Sequence, residues 1–201
     1  MRIGIFGGTF DPPHLGHLIL AAEAGHQLSL DKVLFVLTPD PPHKKEQPIT
    51  NMEARLAMVQ AMIKDDPLFS LSRVEIDRPS PHYAVDTVRL LRSDYPQDKL
   101  VYLMGGDSLK DLPIDWYHPK EFVVECDYIG VMRRPKDEVD IDEIGKNIPG
   151  LIDKVQFMDA PLLEISSRQI RKRALEGRPY RYYLPEPVLK VIQEWELYKP
   201  Q

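Results

Sequence analysis

Short apolar runs that end at glycine or proline alternate along the chain with stretches of helical period, and this alternation constrains the fold more than any other feature. Ile3, Ile5 and Phe6 read as a buried strand that stops at a Gly7-Gly8 turn. Leu15, Leu18, Ile19 and Ala22 then recur at i, i+3, i+4 and i+7, the apolar stripe of a helix packed on a sheet. "VLFVL" (33–37) is a continuous apolar run, suited to a strand buried on both faces. Thr50 and Glu53 have capping-box spacing, and Met52, Leu56, Val59 and Ile63 keep helical period after it. "FSLSRVEI" (69–76) reads as strand, "AVDTVRLLRSDY" (84–95) as helix, "LVYLMGG" (100–106) as strand into turn and "DYIGVMRRP" (127–135) as strand. A strand near "VQFMD" (155–159), a helix from Ser166 to Glu176 and a last helix from about Glu186 to Trp195 complete the pattern, with the acidic 136–150 as a surface helix or loop. The β-α alternation predicts an α/β fold: a doubly wound, mostly parallel sheet with helices on both faces, a small helical C-terminal part, and ligands at the carboxyl ends of the strands.

The 201 residues suffice for one substantial core, and a single domain over 1–201 is expected. With 26 Lys and Arg against 31 Asp and Glu, the surface as a whole should not attract nucleic acid or anionic membrane, so any anion site must be local. The one cysteine, Cys126, cannot form an intramolecular disulfide, and the strand that begins at Arg2 follows no charged leader with an apolar run. No apolar stretch approaches the ~20 residues of a membrane-spanning helix. These features predict a soluble, cytoplasmic protein with no membrane or nucleic-acid partner; oligomeric state is left open.

Two stretches carry chemistry. "GGTFDPPHLGH" (7–17) sets His14 and His17 three residues apart behind two glycines. On a helix starting near His14 the two rings lie about 60° apart, away from the stripe of Leu15 to Ala22. They are expected to look out over Gly7 and Gly8, where a helix N-terminus, close backbone approach and two imidazoles able to carry charge suit a phosphate chain. Zinc is the weaker reading, since no CxxC or H-E-x-x-H accompanies the pair, and neither G-x-G-x-x-G nor a Walker loop occurs. The second stretch, "EISSRQIRKRALEGR" (164–178), opens with a capping box of Ser166 and Gln169 and a hydrophobic staple of Ile165 and Ile170. It offers a second anion site from Ser166, Ser167 and Arg171. A nucleic-acid patch of Arg168, Arg171, Lys172, Arg173 and Arg178 is disfavoured by the acidic chain and the lack of interleaved aromatics.

"GGTFDPPHLGH" with "ISSRQIR" resembles the paired signature of the HxGH-type nucleotidyltransferase superfamily. "TPDPPHK" (38–44), "MGGDSL" (104–109), "DWYHPKEF" (115–122), "MRRP" (132–135) and "YLPEPVLKVIQEWELY" (183–198) resemble its bacterial nicotinate-nucleotide adenylyltransferase branch, so the likeness spans nearly the whole chain. It implies a Rossmann-like sheet that joins nicotinate mononucleotide to the AMP part of ATP. Deamido-NAD is then a product rather than a cofactor, pyrophosphate leaves, and Mg²⁺ is carried on the triphosphate.

The same resemblance implies site residues. His14, His17, Lys44 and Arg171 would neutralise charge on the transferring phosphates, while the acceptor's own 5′-phosphate attacks in line, with no protein nucleophile or covalent intermediate. ATP would meet Gly7, Gly8, Thr9, Phe10, Gly105, Ser166, Ser167 and Arg168, with Asp107 on the ribose hydroxyls. The acceptor would meet Lys44, Tyr83, Ala84, Trp116, Tyr117 and Arg133, with the Trp116 indole under the cationic pyridinium and backbone N–H groups on its carboxylate. Two positions depart from the family pattern: Arg168 stands where threonine is common, and Ala84 of "HYA" stands where the branch often has the threonine of "SYT". An adenylyltransferase for another acceptor, such as nicotinamide mononucleotide or phosphopantetheine, and a non-catalytic nucleotide-binding domain are the alternatives.

Overall fold

The computed structural model describes residues 1–41, 49–133, 139–161 and 164–199. Six parallel strands form one sheet in the order β3-β2-β1-β4-β5-β6, with β1 Arg2–Gly8, β2 Lys32–Leu37, β3 Phe69–Ser72, β4 Lys99–Gly105, β5 Tyr128–Arg133 and β6 Val155–Asp159. The order reverses between β1 and β4, which makes the carboxyl ends of those two strands the switch-point crevice of a doubly wound sheet. Among the described residues, no helix is long and apolar enough to cross a membrane.

Helices cover both faces, and the strands show why. In β2, Val33, Phe35 and Leu37 join the core under α1 (Leu15–Gln27), α2 (Met52–Ile63) and the C-terminal helices, while Leu34 and Val36 join the core under α3 (Ala84–Asp94), α4 (Gly106–Asp115) and α5 (Pro119–Glu125). A strand sandwiched in this way has no solvent face, so the expected continuous apolar run is what two-sided burial requires. Two short helices, α6 (Ile141–Asn147) and α7 (Leu151–Lys154), lead into β6. The C-terminal part comprises α8 (Ser167–Leu175), a 3-10 turn at Arg181–Tyr183 and α9 (Glu186–Glu194). It packs Ile170, Leu184, Val188 and Ile192 onto the core shared by α1 and α2.

Several boundaries differ from the sequence reading. β1 runs through Gly7 and Gly8 instead of turning at them, because both pair with β2, opposite Val36 and Leu37. α2 is capped by Asn51, not Thr50: the Asn51 carboxamide accepts from the Ala54 N–H at 2.8 Å. β3 ends at Ser72, four residues before Ile76. The largest correction concerns α1, whose buried residues are Leu20, Ala21, Ala24 and Gly25, whereas Ala22 is exposed. Bulk drew the predicted stripe to Leu15, Leu18 and Ile19; close approach to the sheet instead selects the small side chains. A Cβ on Gly25 would lie 2.5 Å from a methyl of Leu68.

Candidate active site

That rotation of α1 changes where the two histidines point. His14 and His17 precede Ala21 and Ala24 at helical spacing, so they head the buried face instead of avoiding it. His14 is the N-cap and only 6% exposed. Its backbone N–H donates to His17 Nδ1 at 3.0 Å, and the two rings stack with centroids 3.7 Å apart. Because Nδ1 of His17 accepts, a neutral His17 ring carries its proton on Nε2. Gly16 makes the stack possible, since a Cβ there would lie 3.1 Å from His14 Nδ1. Burial pushes the His14 pKa down to about 4, so this ring is neutral at neutral pH and does not carry the charge expected of it.

The glycines of β1 are also explained by their neighbours. A Cβ on Gly8 would stand 2.8 Å from the ring of Phe10, and one on Gly7 would stand 3.1 Å from the Tyr102 hydroxyl. Phe10 is itself buried against Phe6, His17 and Phe35, with a left-handed backbone at φ 49°.

α8 brings the second motif to the same place. Ser166 caps it, accepting from the Gln169 N–H at 3.2 Å, one of the two bonds of the expected capping box, and Ile170 is buried with Ile165 packed against the same core, as the staple requires. The Ser167 hydroxyl donates to the Pro12 carbonyl at 2.8 Å, and Arg171 Nη1 donates to the Asp11 carbonyl at 2.6 Å. Two motifs about 160 residues apart are thus stitched together by side chains of one and backbone of the other.

Between β1 and β4 these residues line a cleft of about 440 Å³. Gly7, Gly8, Thr9, Phe10, His17, Ser167 and Arg171 form one part of its wall; Tyr83, Ala84, Trp116 and Tyr117 form another. The second wall is aromatic. Trp116 meets Tyr102 edge-on at 5.8 Å and leans on Phe122 at 4.9 Å, and Tyr83 stacks on Tyr117 at 4.1 Å. Burial, and after it the Glu75 carboxylate, push the pKa of the Tyr102 hydroxyl up, which keeps it a hydrogen-bond donor facing Gly7.

Other expected residues lie elsewhere. His14 sits behind His17 and does not line the cleft, and neither does Ser166, whose hydroxyl is engaged as the helix cap. Gly105 is the N-cap of α4 and Asp107 is exposed on its first turn, whereas Ser108 is the α4 residue that faces the cleft there. Arg168 is exposed away from the lining; Arg133, at the end of β5, lays its guanidinium over the Phe157 ring at 4.0 Å. Lys44 lies outside the described residues. Among the described residues no group of three His, Cys, Asp or Glu side chains is arranged to hold a metal.

The lining also includes Asp11, Thr38, Ile49, Tyr102 and Asp115, which local pattern did not single out. Tyr102 had the clearest available signal, a hydroxyl in the middle of an otherwise apolar strand. Arg55 had none. It is 2% exposed and donates to the carbonyls of Thr50, Thr9, Thr38 and Pro39 at 2.7 to 3.0 Å, fixing the loops that leave β1 and β2.

The cytidylyltransferase-like family matches residues 5–173. The chain is 44% identical over 198 residues to the probable nicotinate-nucleotide adenylyltransferase of Thermomicrobium roseum, spanning 98% of this chain and 92% of that protein. It is 38% identical over 198 residues to the nicotinate-nucleotide adenylyltransferase of Bacillus subtilis, spanning 98% of each. Its fold is that of Plasmodium falciparum nicotinic acid mononucleotide adenylyltransferase complexed with NaAD, with a TM-score of 0.80 at 19% identity over 98% of this chain and 97% of that one. A stacked histidine pair, a serine-capped helix and an aromatic wall meeting at one switch-point cleft accord with that kinship, and the chain belongs to the cytidylyltransferase-like nucleotidyltransferases and, among them, to the nicotinate-nucleotide adenylyltransferase family.

Proposed function

We propose that the chain transfers AMP from ATP to nicotinate mononucleotide, releasing pyrophosphate and forming deamido-NAD, a step of NAD biosynthesis in the cytoplasm. The observation that carries this reading is the meeting of two chemically different walls in one cleft. A polar wall of Gly8, His17, Ser167 and Arg171 suits a triphosphate, and an aromatic wall of Tyr83, Trp116 and Tyr117 suits a pyridinium ring.

The acceptor's 5′-phosphate is already anionic, so its oxygen attacks the α-phosphorus of ATP in line and the bond to the β-phosphate oxygen breaks without a protein base. The protein's task is alignment and charge neutralisation. His17 donates through Nε2, Arg171 supplies fixed positive charge, and Ser167 sits in the first turn of α8, where N–H groups favour phosphate. His14 supports His17 from behind as a neutral ring. Backbone N–H groups at the start of α3, at Ala84 and Val85, suit the pyridine carboxylate. Mg²⁺ comes with the triphosphate, held through its oxygens.

The experiment is pyrophosphate release from Mg·ATP offered with each acceptor in turn. Release with nicotinate mononucleotide well above that with nicotinamide mononucleotide or phosphopantetheine is expected. Preference for another acceptor would reassign the substrate, and no release with any of them from folded protein that binds ATP would leave a nucleotide-binding domain.

A further inference from the structure

Asp11 stands where the two motifs meet, and it is 3% exposed. One carboxylate oxygen accepts from the Tyr198 hydroxyl at 2.6 Å, and the other accepts from the Thr50 N–H at 3.2 Å. Arg171 Nη1 donates to the Asp11 backbone carbonyl, and its ion pair with Oδ2, the oxygen held by Thr50, stays long at 3.8 Å, outside hydrogen-bond distance. The guanidinium is therefore anchored by a neutral carbonyl although a charged acceptor is close by.

We propose that Tyr198 is a positioning residue for Arg171: by occupying the Asp11 carboxylate, its hydroxyl keeps that carboxylate from closing onto the guanidinium in the cleft. The inference rests on the reading that Arg171 acts on the phosphates. A buried carboxylate oxygen stripped of its donor turns to the nearest strong donor, because leaving it unpaired costs more than moving it. Arg55 is the poorer candidate, since four of its five N–H groups are committed to backbone carbonyls. The Thr50 side chain also bonds the Tyr198 hydroxyl, but Arg171 is the cationic donor already paired with Asp11, and a closed charge-assisted pair would draw its positive charge back from the phosphates. Tyr198 holds its place against a left-handed backbone at φ 59°, unusual for a non-glycine residue. Burial and the neighbouring carboxylate push its hydroxyl pKa up, so it stays a donor across the working pH range.

The test combines Tyr198→Phe with Asp11→Asn, reading Mg·ATP affinity by calorimetry and, with nicotinate mononucleotide, kcat and KM for pyrophosphate release. Tyr198→Phe should weaken Mg·ATP binding and lower kcat, each by about tenfold, the scale of one charge-assisted contact. Adding Asp11→Asn should return both to within about threefold of wild type, because an amide has no charge with which to hold Arg171. A purely structural hydroxyl would instead make the double variant as poor as the single one or poorer. That outcome, or an unchanged Tyr198→Phe, overturns the proposal. Should Tyr198→Phe not fold, Asp11→Glu carries the test: its longer carboxylate reaches Arg171 with Tyr198 in place and should show the same loss, and a full-activity Asp11→Glu contradicts the proposal. If wild type releases no pyrophosphate with nicotinate mononucleotide, the functional reading fails separately, and the affinity series still decides the role of Tyr198.

Discussion

The rings of His14 and His17 stack at 3.7 Å, and the backbone N–H of the first holds Nδ1 of the second. The pair is a unit in which the buried residue orients its half-buried partner. His17→Ala is expected to lower kcat by roughly 10²–10³, the scale for losing one transition-state donor, and His14→Ala should fall in the same range by releasing its partner. Steady-state rates within threefold of wild type for His17→Ala would remove it from the mechanism.

Stability should depend on pH through His14. Burial lowers its pKa from 6.5 to about 4, so between these values the unfolded chain binds a proton that the folded chain refuses. The contribution is complete above pH 6.5 and is lost as the pH falls toward 4, to a total of up to about 3 kcal/mol. Urea unfolding at pH 7 and pH 4.5 measures it. Wild type should lose more stability across that interval than His14→Asn, which cannot titrate; equal losses would mean that the His14 pKa is not depressed. His82, whose pKa burial also lowers, is common to both proteins and cancels in the difference.

Gly16 separates activity from stability. Alanine favours a helix over glycine by about 1 kcal/mol, but a Cβ at 16 would press on His14 Nδ1 from 3.1 Å and force the ring to shift within the stack. Gly16→Ala should therefore keep or slightly raise the melting temperature while lowering kcat by about tenfold or more. A variant as active as wild type would show that the stack is dispensable.

Arg55 tests the frame behind the cleft. Arg55→Met strands four carbonyls and removes a buried cation that interacts with Asp11, at a cost of about 3 kcal/mol or more. Arg55→Lys should lie between, since one ammonium cannot span contacts made by a guanidinium fork. Chemical denaturation ranks the three proteins, and a Met variant as stable as wild type would contradict the role of these bonds.

What the sequence discloses here is local. β6 at 155–159, the α8 start at Ser166 and the two-sided β2 run follow from periodicity and caps alone, and the structure has them where expected. α4 and α5 were hidden because Pro113 interrupts the first and a left-handed His118 precedes the second, so neither shows a clean helical period. The α1 face was misjudged because period alone cannot choose between a bulky stripe and a small one. Within the site, the motif residues His17, Ser167 and Arg171 were legible. Asp11, Arg55 and Tyr198 were not, since their meaning lies in tertiary partners, as far as 46 residues away for Arg55 and 187 for the Asp11–Tyr198 pair. Arg55 shows this most plainly, because a charge on a predicted helix reads as solvated until tertiary structure buries it.

The central claim is that one cleft between β1 and β4 holds both nucleotides, and a crystal structure of the protein with deamido-NAD bound tests it most directly. The diphosphate bridge should lie against Gly8, His17, Ser167 and Arg171, with the pyridine ring beside Trp116 and its carboxylate at the start of α3. A dinucleotide found instead at the opposite end of the sheet, in the hollow formed by Arg92, Lys99 and Lys154, would contradict the account.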